Sequence, residues 1–122
     1  MVQAQVDITK HANQVLNIVL PYTLLYPERR FLLTHQKKDL LELAPALVLE
    51  VVSSESAADL EQRIELFLER GTRAFLVAFT TRQVIRIFEP SGHARLVRGD
   101  QKLELDLLPG FSVPASRFFE GL

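Results

Sequence analysis

APALVLEVVSSESAADLEQRIELFLERG, residues 44–71, is the stretch on which the fold turns. The run from Leu47 to Val52 is short and rich in β-branched residues, with Pro45 before it and serines after it. That is the pattern of a buried strand rather than of a helix. Period two places Ala46, Val48, Glu50 and Val52 on one face. A helix follows, with Ser56 as its N-cap, Asp59 three residues later, and a periodic apolar pattern through DLEQRIELFLERG. Gly71 is its natural stop. At about 100° per residue, Leu60, Ile64, Phe67 and Leu68 share one side, and Glu61, Gln62, Glu65 and Glu69 stand opposite. Two residues break this pattern: Glu50 is a carboxylate inside an apolar strand, and Arg63 falls on the apolar flank of the helix.

Working outward, Ala74–Thr80 and Val84–Pro90 read as two strands joined across Thr81, Arg82 and Gln83 in a hairpin. Ser91 and Gly92 make the next turn, residues 94–98 a short strand, and Gly99 and Asp100 another turn. LELDLLPGF then reads as a final strand leading to a short terminal segment. Upstream, residues 3–34 mix alternating and continuous apolar stretches, interrupted by Pro21 and Pro27, and read as short strands. The order predicts an α/β (α+β) architecture, a mixed β-sheet with flanking helices, in a single domain over residues 1–122.

Composition narrows the function. Fourteen basic and fifteen acidic side chains give a formal charge of −1, so the chain has no overall positive excess with which to hold a phosphate backbone. A chain without cysteine has no disulfides, no zinc-thiolate site and no thiol catalysis. The N-terminus lacks a basic segment followed by a long apolar run, and no uncharged apolar stretch reaches the roughly 18 residues of a membrane span. A cytoplasmic protein with no membrane partner is expected. The strand FLVAFT and the terminal FSVPASRFFEGL carry more apolar surface than one helix covers, which predicts a homo-oligomer formed through a sheet edge or the C-terminal aromatics.

Pro45 to Glu50, Val51 and Ser53, then Asp59, Arg63, Phe67 and Gly71, then Leu108-Pro109-Gly110-Phe111 with Phe118 and Phe119, come in an order that resembles the Uma family. These proteins are described as restriction endonucleases with the PD-(D/E)xK nuclease fold, and the similarity runs over roughly residues 27–122. The family's strand reads Pro-Asp, a few apolar residues, then Glu-Val-x-Ser, and its helix carries Asp with Lys four residues on. Carboxylates there hold a hard divalent cation, which with the lysine ammonium activates water and stabilises charge on the scissile phosphate. Here the aspartate after Pro45 is Ala46, the lysine is Arg63, and the tyrosine four positions later is Phe67; Glu50, Ser53 and Asp59 match. An earlier Pro-Asp pair of the family corresponds to Pro27-Glu28. The resemblance therefore implies Glu50 and Arg63 as catalytic residues, and Glu50 with Glu28 as ligands of Mg²⁺ or Mn²⁺ if the site is active, with DNA as the partner.

Each of these residues also has a plainer reading. Glu50 is either a ligand or one half of a structural ion pair, and it would be solvated if its face of the sheet were open. Arg63 can run along an apolar surface with its head in water, or fork onto a carboxylate; a pair with Glu50 in the place of a metal is expected. Arginine is a poor substitute for a catalytic lysine because it stays protonated. Asp59 suits the helix N-terminus, and Ser53 and Ser54 suit a turn. His11, His35 and His93 are scattered and form no zinc-binding pair. Arg29, Arg30, Lys37, Lys38, Arg82, Arg86, Arg95 and Arg98 are the basic residues from which a phosphate groove would be assembled, though scattered surface charge explains them as well. Two functions follow: an endonuclease hydrolysing DNA phosphodiesters, or a domain that keeps the fold with an impaired or inactive site and acts through binding or self-association.

Overall fold

Leu47–Val52 is buried at every position, and this strand, β2, lies inside the sheet with a parallel neighbour on each side. The computed structural model describes residues 17–18, 31–34, 45–52 and 57–121. β1 (Phe31–Thr34), β2, β3 (Ala74–Phe79), β4 (Val84–Phe88) and β5 (Ala94–Arg98) form one five-stranded sheet in that order. The β1–β2 and β2–β3 pairs are parallel, and the β3–β4 and β4–β5 pairs antiparallel. Parallel neighbours need a crossover, and the helix α1 (Ala57–Glu69) supplies it between β2 and β3. β6 (Lys102–Glu104) and β7 (Ser112–Pro114) pair separately, followed by a 3₁₀ turn over Ala115–Phe119.

The sheet separates two apolar cores. On one face, Leu60, Ile64 and Phe67 of α1 close over Val48, Val52, Phe75 and Val77. On the other, Leu49, Leu76, Ile85 and Ile87 meet Leu103, Leu108, Phe111 and Phe118 from the C-terminal part of the chain. Gly71 ends α1 with φ 112°, where its N–H reaches Leu68 O at 3.2 Å and the Thr72 N–H reaches Phe67 O at 3.0 Å. This is the left-handed cap that a glycine enters without steric cost.

Four expectations change. LELDLLPGF is a strand only at its start: Leu108 N–H closes onto Leu105 O and Phe111 N–H onto Leu108 O, and β7 pairs only with residues 102–104. Leu103, Leu105 and Leu107 are all buried as a strand pattern predicts, but the last two insert into the core from turns. Phe118 and Phe119 lie in that core at 0% and 4% exposure, so the C-terminal aromatics are not an association surface. Ala46 precedes β2 in a bend and packs with the opposite core, off the face that carries Glu50. The expectation of short strands over residues 3–34 meets a strand at Phe31–Thr34 and helical backbone at Asn17 and Ile18. Among the described residues, no helix is long and apolar enough to cross a membrane.

Candidate functional site

Glu50 sits mid-strand on β2, with Thr34 of β1 and Val77 of β3 as its register partners. Both neighbouring strands are hydrogen-bonded to β2 and α1 lies above, so the carboxylate is 2% exposed. Arg63 occupies the helical stripe of Leu60, Ile64 and Phe67, where it points at the sheet and is 8% exposed. Its Nε donates to Glu50 Oε2 at 2.8 Å and its Nη2 to Glu50 Oε1 at 2.7 Å. This is a two-point guanidinium–carboxylate fork, short as charge-assisted bonds are. The Phe67 and Phe75 rings lie in the same cluster, their centroids 5.6 Å apart at 58°. The open-face alternative for Glu50 is thereby removed, and the expected pair with Arg63 is present.

The other candidates scatter. Asp59 is exposed in the first turn of α1, where a carboxylate favours the helix dipole. Position 46 stands four residues before Glu50, roughly 13 Å away along extended chain. An aspartate there could not share one cation with Glu50, so the change to Ala46 says little about metal binding. His93 is exposed, as are Arg82, Arg86, Arg95 and Arg98. Arg95 ties β5 to β6 through a 2.9 Å bond from Nη2 to Glu104 O. Glu28, Ser53, Ser54, His11, His35, Arg29, Arg30, Lys37 and Lys38 lie outside the described residues. A groove of about 310 Å³ between Arg73, Glu89 and Asp106, at the end of the sheet where β3 begins, does not include the pair.

A divalent cation of the Mg²⁺ class takes oxygen ligands at about 2.0–2.6 Å. At Glu50 both oxygens already accept from a guanidinium that brings its own positive charge. Among the described residues, no three Asp, Glu, His or Cys side chains gather to hold an ion. The donors among the described residues do not fit the cation: admitting it would mean breaking the fork and burying two cations together.

A family model described as "Putative restriction endonuclease", Uma2, matches residues 22–116. This chain belongs to the Uma2 family. The Uma2 chain also resembles, with a TM-score of 0.58 and 16% sequence identity, the crystal structure of a putative nuclease belonging to DUF820 from Anabaena variabilis. That match covers 63% of this chain and 45% of the other, so the Uma2 chain spans less than half of that protein's length. At such low identity the likeness carries the fold. No curated protein matches the chain.

Sequence reasoning singled out both members of the pair. What it could not supply was the distance between them, because Glu50 and Arg63 lie 13 residues apart and meet only when α1 folds back over its own strand.

Proposed function

We propose that this chain is a restriction-endonuclease-like domain whose site is closed by an internal ion pair, and that it acts by binding rather than by hydrolysing phosphodiesters. The observation that carries the reading is the Arg63 fork on Glu50, at 2.7 and 2.8 Å inside the core under α1. Arginine stays protonated at any working pH, so it cannot accept a proton from water, and its charge is spread over a plane matched to the carboxylate. The guanidinium occupies the place on Glu50 where the PD-(D/E)xK pattern would hold Mg²⁺ or Mn²⁺. The reading assumes a cytoplasmic setting.

Calorimetric titration with Mn²⁺ and Mg²⁺ beside a plasmid-nicking assay, on the wild type and on Glu50→Gln, tests this. The expected result is no metal heat and no nicking in either protein, with the substitution lowering stability alone. Metal binding and nicking in the wild type, both lost in Glu50→Gln, would overturn it in favour of a Mg²⁺-dependent DNA endonuclease. A second carboxylate would then have to join Glu50, and Glu28 is the residue to substitute next.

A further inference from the structure

Among the described residues, only half of the helix-side face of the sheet is covered. α1 lies over β2 and β3, and no residue of β5 belongs to the apolar cluster beneath it. One row of the register runs from Glu50 through Val77 and Arg86 to Leu96, and Arg98 stands beside Val84 on the same face. Arg86, Leu96 and Arg98 are exposed, and Phe79 and Phe88 half-buried. Leu96 stands out as a large apolar side chain at 38% exposure. The Arg86 guanidinium lies 5.9 Å from the centre of the Phe88 ring, close enough for a weak cation–π contact. Among the described residues, Arg86 and Arg98 make no ion pair. The result is a shelf with an apolar floor and two arginines that no described carboxylate neutralises.

Beside the shelf stands the outer face of α1. Glu61, Glu65 and Glu69 recur there at every fourth residue, all exposed and none ion-paired among the described residues. Like charges at this spacing oppose the helix that carries them.

We propose that the β4–β5 shelf receives α1 of a second copy of this chain, giving a two-fold dimer. A helix about 10 Å across, standing on one half of a face, leaves a step of similar depth over the other half. Under a two-fold axis that runs parallel to the strands between two facing sheets, the helix of each copy fills the step of the other, and the assembly closes. The charges match in sign, and their spacings lie within reach of long side chains: glutamates four residues apart on a helix are about 6 Å apart, and Arg86 and Arg98, diagonal neighbours on adjacent strands, are about 7–8 Å apart. Leu96 and Phe88 form the apolar centre, and the arginine–glutamate contacts form the rim. A polyanion fits this chain less well, because its formal net charge is −1. Pairing through the β5 edge is also hindered, since Gln101 already satisfies the Arg98 N–H through Oε1 at 2.9 Å and donates its own N–H to Arg98 O at 3.1 Å.

This inference deepens the binding reading above by naming the partner, and it is read by mass rather than by cleavage, so either can fail alone. Size-exclusion chromatography with light scattering would compare the wild type, Arg86→Glu/Arg98→Glu, Glu61→Arg/Glu65→Arg, and an equimolar mixture of the two variants. The wild type is expected at twice the 13.9 kDa chain mass, each variant at the single mass, and the mixture again at twice, because each reversed helix then meets a complementary shelf. Circular dichroism melts establish that each variant is folded. Should one not fold, Leu96→Gln at its exposed position is expected to loosen the dimer about tenfold, as loss of a central apolar anchor does. A wild type of single mass at every concentration would overturn the proposal, and so would a dimer indifferent to both reversals. A monomeric wild type that binds duplex DNA, and loses it in Arg86→Glu/Arg98→Glu, would overturn it in favour of a polyanion.

Discussion

Arg63 grips Glu50 through two nitrogens in a site that is nearly dry, and the energetic consequence is asymmetric. Removing one member of a buried pair strands the other charge, which costs about 3–5 kcal/mol, whereas replacing both by apolar groups of similar volume is often neutral or stabilising. Arg63→Met is therefore expected to lower the unfolding free energy by about 3–5 kcal/mol, and Glu50→Leu/Arg63→Met to recover most of that loss. Urea denaturation of these two variants, of Glu50→Leu alone and of the wild type would read this as a double-mutant cycle. Additive losses would mean that the two side chains do not act as a unit.

The helix ends where its sequence says it should, and the residue after the cap carries a cost of its own. Thr72 is fully buried, with a hydroxyl that finds no hydrogen-bond partner among the described residues. A buried polar group without a partner destabilises by roughly 1–3 kcal/mol, and valine has nearly the same shape without the hydroxyl. Thr72→Val is expected to raise stability by about 1 kcal/mol, seen as a higher urea midpoint at unchanged slope. A drop of similar size would mean that the hydroxyl is satisfied in solution.

At the scale of the molecule, the sheet is held between two covers, α1 over half of one face and the C-terminal chain over the other. Phe118, at 0% exposure, anchors that second cover although it comes from the 3₁₀ turn at the end of the described chain. Phe118→Ala leaves a cavity at the far side of the sheet from the ion pair and is expected to cost about 3–5 kcal/mol. Because it touches the opposite core, a shelf-mediated dimer should persist in the fraction that remains folded. Thermal unfolding followed by circular dichroism, with light scattering at a temperature below the transition, would check both halves of this expectation.

Some of this was written in the chain itself. Leu47–Val52, the helical period from Leu60 to Leu68, Gly71 as its stop, the hairpin around Arg82 and the strand at 94–98 are all short-range patterns, and local sterics with hydrophobic periodicity are enough to read them. The odd residues, Glu50 and Arg63, were visible for the same reason, as charges where the pattern calls for apolar side chains. Other features needed the tertiary structure. Leucines at 105 and 107 alternate like a strand yet have no ladder, because strand identity depends on a neighbour that sequence does not name. Ala46 left the face assigned by period two because the strand begins one residue later. Whether Glu50 would be solvated, metal-bound or paired was equally a long-range matter. Its neighbours are α1 and the strands on either side, and only their packing brings a guanidinium to within 2.7 Å while excluding the water that would otherwise hold the charge.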